Sequence, residues 1–328
     1  MKAFRTLTFG ILFLSYGAFL VGCSTMSAEQ GEAGDSPVAE TLDEAERDAQ
    51  PEGLSDLTAI GGNRYLSVDD RGGFLHVLEI VLDEDGAVAS CKTVRSIQLE
   101  GRTDLEGCAF DPLDGCVWVA DEHDTSIRQF DPATGKEIAA VLVPEVFRRN
   151  VVGNRSFEAL AITPDGLRMY VANEDTLKCD GACADKTTGG VVRIQEFART
   201  GKGVPWTVAR QFRYRTEKVD GEPFAGLAIS GVVALVATDD GTLLVLEREM
   251  SQKNPLFPSF RARLFAVHPD AAHDGELSKR VVWDEDTMFA NYEGICFGPR
   301  LKDGARSLIL ISDGGGVAEE RVLVLSLR

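Results

Sequence analysis

A hairpin motif that recurs along the chain is the feature that most limits how it can fold. One copy covers residues 106–122 and a second covers residues 158–174, with the same spacing throughout. Each copy predicts a β-strand, a turn rich in Pro, Asp and Gly, and a second strand of β-branched or aromatic residues. Self-similarity of this kind indicates a fold built from one repeated supersecondary unit.

Three further copies extend the repeat over the rest of the chain. One covers residues 293–313 and contains a longer turn, and two weaker copies cover residues 54–71 and 229–248. Additional predicted strands follow these hairpins, at residues 74–82, 92–99, 126–130, 138–143, 191–197, 206–214, 263–267 and 280–283. Four short antiparallel strands per repeat are typical of a β-propeller blade.

The repeats therefore predict an all-β fold, a single β-propeller with five visible blades. A propeller with a sixth, degenerate blade is the alternative. Only one predicted strand, residues 322–327, follows the last hairpin, so a strand from the start of the domain could complete that blade and close the ring. A β-sandwich or two unrelated β domains are the alternatives, and the matched spacing of the repeats argues against them. No linker-like composition interrupts residues 52–328, which we interpret as one domain. Residues 250–260 are predicted to be a blade loop that lies over one face and forms either a lid or a contact surface.

The first 22 residues are predicted to be a lipoprotein signal peptide. Lys2 and Arg5 precede an apolar run that is too short for a confident membrane span, as in an export signal. The run ends at Cys23 in a segment that resembles a bacterial lipobox, which implies cleavage before Cys23 and lipidation of it. Ser24 favours an outer-membrane destination. An ordinary secretory signal with a chance cysteine is the alternative.

Residues 23–51 are interpreted as the lipidated cysteine and an acidic tether. The segment carries eight acidic residues and a single base, Arg47, without sustained apolar periodicity. Such a composition favours an extended, self-repelling chain, although residues 41–48 could form a short helix. The expected location is the cell envelope, with the protein anchored by lipid in the outer membrane and facing the periplasm or the cell surface.

Charge narrows the range of partners. The chain has 328 residues with 34 Lys and Arg against 52 Asp and Glu, a formal net charge of −18. A strongly acidic surface argues against a nucleic-acid partner, because phosphate backbones attract basic surfaces. The same acidity fits either cation binding or plain solubility.

Cysteine usage fits an oxidising compartment. Cys179 and Cys183 lie close together in a polar stretch and are predicted to form a disulfide that closes a small loop. A zinc site there would need two further ligands that the neighbouring sequence does not supply. The other four cysteines of the domain either pair in an undetermined way or are buried thiols: Cys91, Cys108, Cys116 and Cys296.

Acidic residues stand at the ends of the repeated hairpins. Since the start of the first strand lies beside the end of the second, propeller symmetry brings these ends together around the mouth of the central channel. Converging carboxylates repel one another unless a cation or an arginine compensates, and calcium is the natural hard cation for oxygen ligands. The predicted metal ligands are Asp69, Asp70, Glu122, Glu174, Glu247 and Asp313. The alternative is that these carboxylates cap turns and that Arg71 and Arg248 neutralise the ring unaided.

The order of the motifs resembles the phytase-like family described by esterase-like activity of phytase. The residues that carry the resemblance are 67–72, 104–107, 154–161, 244–248, 291–294 and 310–313, and the match extends over about residues 53–328. The resemblance implies a secreted or surface-attached propeller that hydrolyses phosphoesters or other esters. The sequence contains no GxSxG motif and no P-loop that would indicate a different chemistry.

Two functions follow from these observations. In the first, the protein is a calcium-assisted hydrolase of small anionic phosphate or carboxylate esters: Glu106, Glu158 and Glu293 hold metal or activate water, and Arg71 and Arg248 orient the substrate. In the second, it is a non-catalytic propeller that binds a protein or a glycan of the envelope.

Overall fold

The structure is a computed structural model that describes residues 37–47, 51–223, 227–254, 257–314 and 319–328. These residues form five four-stranded antiparallel sheets, each of which is one blade. Blade 1 contains β2 (Leu54–Gly61), β3 (Arg64–Asp69), β4 (Phe74–Leu82) and β5 (Val88–Gln98). Blade 2 contains β6 (Leu105–Asp111), β7 (Cys116–Asp121), β8 (Ser126–Phe130) and β9 (Glu137–Ala140). Blade 3 contains β10 (Phe157–Ile162), β11 (Arg168–Asn173), β12 (Val191–Ala198) and β13 (Thr207–Arg215).

The remaining strands complete the ring. Blade 4 contains β14 (Ile229–Ala237), β15 (Leu243–Asn254), β16 (Phe257–Val267) and β17 (Lys279–Met288). Blade 5 contains β18 (Asn291–Arg300), β19 (Arg306–Asp313), β20 (Arg321–Leu327) and, from the other end of the chain, β1 (Ala39–Glu46). A short helix α1 (Glu145–Asn150) connects blades 2 and 3, and a 3₁₀ turn (Pro269–Ala271) connects β16 to β17. The predicted five-bladed propeller is confirmed.

Strand β1 closes the ring by pairing antiparallel with β20, from Ala39 opposite Leu327 to Glu46 opposite Arg321. The sequence predicts closure by a strand from the start of the domain, but this strand lies within residues 23–51, which we interpreted as a tether. The tether interpretation is wrong for residues 39–46, and the alternative of a short helix at residues 41–48 is also wrong. An outermost strand has little to bury, and within β1 only Ala39 is buried. Its sequence therefore shows no apolar alternation.

Polar side chains of β1 attach it to three blades. The Trp283 indole of blade 4 donates a hydrogen bond to Thr41 Oγ1 at 3.1 Å. Asp43 accepts the backbone N–H of Val88 in blade 1 at 2.8 Å, and Glu44 accepts the Tyr292 hydroxyl of blade 5 at 2.5 Å. The acidic residues of β1 thus hold the closing strand in place.

The hydrophobic core lies between neighbouring blades, because both faces of each sheet pack against another sheet. Five buried clusters occupy these interfaces. They are represented by Leu66 with Phe130, Trp118 with Phe157, Tyr214 with Val232, Leu264 with Leu310, and Leu57 with Ile309. This packing holds the inner strands in a fixed ring around the channel.

The prediction of a loop at residues 250–260 is wrong. These residues belong mostly to the long hairpin of β15 and β16, in which Met250 pairs with Phe260. Two prolines near its tip suggested a loop, and the ladder accommodates this region with a register shift between Ser251 and Asn254.

Cys179 and Cys183 are both free thiols, so the predicted disulfide is absent from the structure. The Arg193 guanidinium instead fixes their loop by pairing with Asp180, with Nε at 2.6 Å from Oδ2. Cys108, Cys116 and Cys296 are also free thiols, and all three are buried.

The predicted signal peptide and Cys23 lie outside the described residues. Among the residues that are described, no helix is both long and apolar enough to cross a membrane.

Candidate metal centre at the channel mouth

Three glutamates reach the channel because each occupies a β-bulge in the innermost strand of its blade. The pairing of β6 with β7 skips Glu106, that of β10 with β11 skips Glu158, and that of β18 with β19 skips Glu293. A bulge bends the strand and re-aims the side chain of the extra residue. The same β-bulge therefore directs the predicted glutamates of blades 2, 3 and 5 towards the axis of the propeller.

Small residues after these glutamates let the inner strands approach one another. A Cβ atom placed on Gly107 would lie 3.1 Å from the carbonyl oxygen of Glu158, and one on Gly294 would lie 2.7 Å from the carbonyl carbon of Asp56. The contact at Gly294 is too close for a side chain unless the backbone of Asp56 moves, and a side chain at Gly107 would require its neighbours to shift by a few tenths of an ångström. The Glu-Gly motifs therefore combine an inward carboxylate with a close approach of neighbouring blades.

In each blade a pair of residues lies on the second strand of the hairpin or extends just past its end, and the second member of each pair interacts electrostatically with the bulge glutamates. These second members are Asp70, Glu122, Glu174, Arg248 and Asp313. Electrostatic interactions connect them to the bulge glutamates: Asp313 raises the pKa of Glu293, and Arg248 lowers it. Successive residues of a strand point to opposite faces, so the first member of each pair points elsewhere.

Two predicted metal ligands are such first members and do not belong to the centre. Asp69 accepts the backbone N–H of Gly72 at 2.9 Å and contacts Nε2 of His76 at 3.0 Å, within its own blade. Glu247 accepts the Tyr214 hydroxyl at 2.6 Å and contacts Nζ of Lys279 at 2.6 Å, between blades 3 and 4. Asp69 and Glu247 are therefore engaged outside the two groups of carboxylates at the mouth, and their role as metal ligands stays a prediction.

Arg248 lies inside the acidic cluster and is only 9% exposed. Its Nη2 is 2.8 Å from Oε1 of Glu174 and 3.4 Å from Oε1 of Glu293. Burial lowers the pKa of Arg248, but the carboxylates of Glu293 and Glu174 outweigh burial and raise it. Within the described part of the chain its buried Nε has no acceptor, so the guanidinium keeps an unused donor at the centre.

Arg71, the other predicted arginine, stands at the rim. Its side chain is 43% exposed, and it pairs with Glu52 at 2.9 Å and with Asp70 at 3.5 Å. Arg71 therefore contacts one carboxylate of the mouth without entering the cluster. His123, which lies between Glu122 and Asp124 in the sequence, is also exposed.

Two groups of three carboxylates meet at the mouth and share one member. Oxygens of Asp104, Glu106 and Glu122 lie within 4.8 Å of one another, as do oxygens of Glu122, Glu158 and Glu174. All are buried except the half-buried Asp104. Sequence reasoning placed Glu106, Glu122, Glu158 and Glu174 here and missed Asp104 as a ligand, although Asp104 precedes Glu106 in the repeat.

Glu122, the shared carboxylate, is held by the segment that leads into blade 3. Its Oε1 accepts the backbone N–H of Ser156 at 2.8 Å, and its Oε2 accepts the amide of Asn154. Arg155, between these two residues, pairs with Asp175 at 2.6 Å; burial raises the pKa of Glu174, and Arg248 and Arg155 offset part of this rise. The motif at residues 154–156 thus orients a candidate metal ligand of the preceding blade, a role that the sequence does not reveal.

Burial and mutual repulsion raise the pKa values of the clustered carboxyls. Burial, followed by repulsion from Glu174 and Asp104, leaves the pKa of Glu122 at about 7, despite the lowering by the Ser156 N–H. Burial raises the pKa of Glu293 to about 8 and that of Asp70 to about 6. The pKa values of Glu106 and Glu158 lie well above the ordinary range for the same reasons. The cluster must therefore take up protons or a cation near neutral pH.

The donor set suits a hard metal ion. Every side chain in the two groups of three offers carboxylate oxygen, whereas zinc and softer metals favour imidazole or thiolate ligands. The acidic residues at the channel mouth could therefore bind a metal ion.

Comparison with known proteins shows which family this chain resembles. The family model for phytase-like proteins, described as esterase-like activity of phytase, matches residues 50–314. The probable protein phosphatase 2C 65 of Arabidopsis thaliana is 30% identical over 87 residues, which are 26% of this chain. The chain spans only 22% of the length of that curated relative.

Among solved structures, the glutaminyl cyclase of Myxococcus xanthus is 12% identical with a TM-score of 0.44, covering 89% of this chain and 98% of the other. A periplasmic gluconolactonase of Pseudomonas aeruginosa is 16% identical with a TM-score of 0.37, covering 84% of this chain and 87% of the other. The family model spans most of the chain, including the bulges and strand ends that form the acidic centre. The protein therefore belongs to the phytase-like family.

Proposed function

We propose that this protein is a calcium-assisted hydrolase of phosphate or carboxylate esters that acts at the acidic mouth of the channel. The observation that carries the proposal is the convergence of carboxylates in two groups of three, each with oxygens within 4.8 Å of one another, of which only Asp104 is half-buried rather than buried and Glu122 is common to both. Family membership supports the assignment to ester hydrolysis.

Calcium fits this site because it takes several carboxylate oxygens in a flexible geometry. Asp104, Glu106 and Glu122 would hold it on one side, and Glu122, Glu158 and Glu174 on the other. When bound, the ion would polarise the ester and favour ionisation of a water molecule.

The protein groups around the ion would bind the substrate and move protons. The unused Nε of Arg248 would donate to an anionic oxygen of the substrate, and the exposed Arg71 would attract it at the rim. Glu106 or Glu158 would accept a proton from the attacking water. Glu293, whose pKa is about 8, can hold a proton at neutral pH and is a candidate donor to the leaving oxygen.

The place of action that we propose is the cell envelope. The N-terminal sequence supports it, since a positive segment and an apolar run precede a lipobox-like Cys23. A small anionic ester of that compartment would then be the substrate.

The test is calcium-dependent hydrolysis by the full chain, purified in detergent and freed of metal with a chelator. Calcium is added back with p-nitrophenyl acetate or p-nitrophenyl phosphate as substrate. We expect activity that requires calcium and falls about a hundredfold or more in Glu106→Gln.

The matched control is Asp111→Asn, because Asp111 is fully buried but pairs with Arg199, 2.6 Å away, outside the acidic centre. This variant should keep its activity. Equal activity in chelator and in calcium would contradict the metal-assisted mechanism. Calcium binding without hydrolysis of either ester class would favour the non-catalytic binding function instead.

A further inference from the structure

Asp56 is a buried carboxylate that the metal centre does not itself use. It is fully buried in the innermost strand of blade 1, where the pairing of β2 with β3 shifts register between Ser55 and Thr58. Its φ of 55° lies in the left-handed region, which is uncommon for a residue other than glycine. A strained, buried and polar position of this kind needs a physical reason.

The carboxylate of Asp56 gathers backbone N–H groups from several blades. Its Oδ1 accepts the N–H of Leu57 at 2.8 Å, and its Oδ2 accepts the N–H of Cys108 in blade 2 at 2.8 Å. Burial raises the pKa of Asp56 well above its ordinary range, and the N–H groups of Leu160 in blade 3 and Ile295 in blade 5 also interact with it and offset part of this rise. One side chain therefore interacts with the inner strands of three other blades.

The spacing of these N–H groups is the same in each blade. Cys108, Leu160 and Ile295 each stand two residues after a bulge glutamate, which is Glu106, Glu158 and Glu293 in turn. An interaction at this position restrains the strand directly after the bulge. Since the bulge sets the direction of the glutamate side chain, Asp56 restrains all three glutamates together.

Packing around Asp56 leaves little room for adjustment. A Cβ atom placed on Gly294, the residue after Glu293, would lie 2.9 Å from Cα of Asp56. No arginine, lysine or histidine pairs with Asp56 among the ion pairs of the described residues. Backbone N–H groups therefore offset part of the cost of burying this carboxylate, and they do so only while the three strands keep their positions.

We propose that Asp56 is the positioning residue of the cation site: by holding the strands behind Glu106, Glu158 and Glu293, it sets the affinity of the channel mouth for a divalent cation. This inference rests on the proposed function, since it assumes that the mouth binds calcium. Asp56 acts through the backbone and does not touch the ion.

The test compares calcium binding to the full chain, in detergent, for the wild type and for Asp56→Asn. An amide keeps the size of the carboxylate but replaces one acceptor oxygen by a donor, which faces an N–H group and loosens one strand. We expect the calcium dissociation constant to rise about tenfold or more, as for loss of a group that orients metal ligands. Isothermal titration calorimetry with calcium chloride measures it.

The control is again Asp111→Asn, which removes a buried interaction between blades 2 and 3 at the far end of their hairpins. It should lower the melting temperature yet leave the calcium dissociation constant unchanged. An unchanged calcium dissociation constant in Asp56→Asn, with binding intact in the wild type, would overturn the role of Asp56 and leave the proposed function standing. If the wild type binds no calcium, both proposals fail.

A second measurement serves if Asp56→Asn does not fold. In the isotope-labelled wild type, the amide resonances of Cys108, Leu160 and Ile295 report on the restrained strands by nuclear magnetic resonance. We expect all three to shift during a calcium titration with the midpoint found by calorimetry. Resonances that stay in place while calcium binds would overturn the proposal.

Discussion

At the scale of single residues, the acidic cluster at the channel mouth is a set of carboxyl groups whose ionisation opposes folding. Glu122 and Glu293 have pKa values of about 7 and about 8 in the folded protein, above the ordinary value of 4.5. A group whose pKa is raised by folding contributes stability below its unfolded pKa, and this contribution is lost as pH rises through the folded pKa. Without metal, the cluster should therefore destabilise the protein most above neutral pH.

We expect the melting temperature in chelator to fall by about 5 °C or more from about pH 5 to about pH 9. Calcium should remove most of this fall, because the ion compensates the ionised carboxylates. Differential scanning fluorimetry over this pH range, with and without calcium, measures both effects. In Glu293→Gln the fall should be smaller, since one titrating group is missing. A calcium effect that is equal at both ends of the range would contradict the argument.

Arg248 provides a second prediction at this scale. Replacing it in Arg248→Met leaves Glu174 and Glu293 without their buried positive partner, a change that costs about 3–5 kcal/mol in comparable buried pairs. We expect a lower melting temperature in chelator and a KM that rises more than kcat falls, because the donor to the substrate is lost. Arg71→Met at the exposed rim should leave the melting temperature unchanged. Unaltered ester kinetics in Arg248→Met would rule out its role in substrate binding.

At the scale of elements, the closing strand β1 matters more than its acidic sequence suggests. It covers one edge of β20 and carries the hydrogen bonds of Thr41 and Asp43 to neighbouring blades. Removing it exposes the edge of a strand whose Val322, Val324 and Leu325 are fully buried. The ring would then lose the pairing of β1 with β20, which connects the two ends of the domain.

A chain beginning at residue 52 should therefore be less stable than one beginning at residue 37. We expect its melting temperature to be lower by about 10 °C or more, or the protein to be insoluble. A synthetic peptide of residues 37–51 added in excess should restore part of the loss, whereas a scrambled peptide should not. Equal melting temperatures for the two chains would show that β1 does not contribute to closure.

At the scale of the whole molecule, the repeats allow the five blades to be predicted because each hairpin is encoded locally. The residues that converge at the mouth follow from symmetry, as Glu106, Glu158 and Glu293 do. The sequence does not reveal which residue of a pair such as Asp69 and Asp70 faces the centre, because bulges and pairing between strands decide it. The role of Asp56 is hidden for the same reason, since its partners lie in blades 2, 3 and 5.

Anchoring of the whole molecule is the remaining prediction, and it depends on Cys23. If this residue is lipidated, the wild type expressed in a bacterial host should incorporate labelled palmitate and sediment with membranes. Cys23→Ser should lose the label, while Cys179→Ser serves as a control that keeps it. Ser24→Asp should move the labelled protein from outer to inner membrane fractions, because Asp at that position is associated with retention. If the wild type takes up no label, the alternative of an ordinary export signal at residues 1–22 is favoured, and the propeller would act without a lipid anchor.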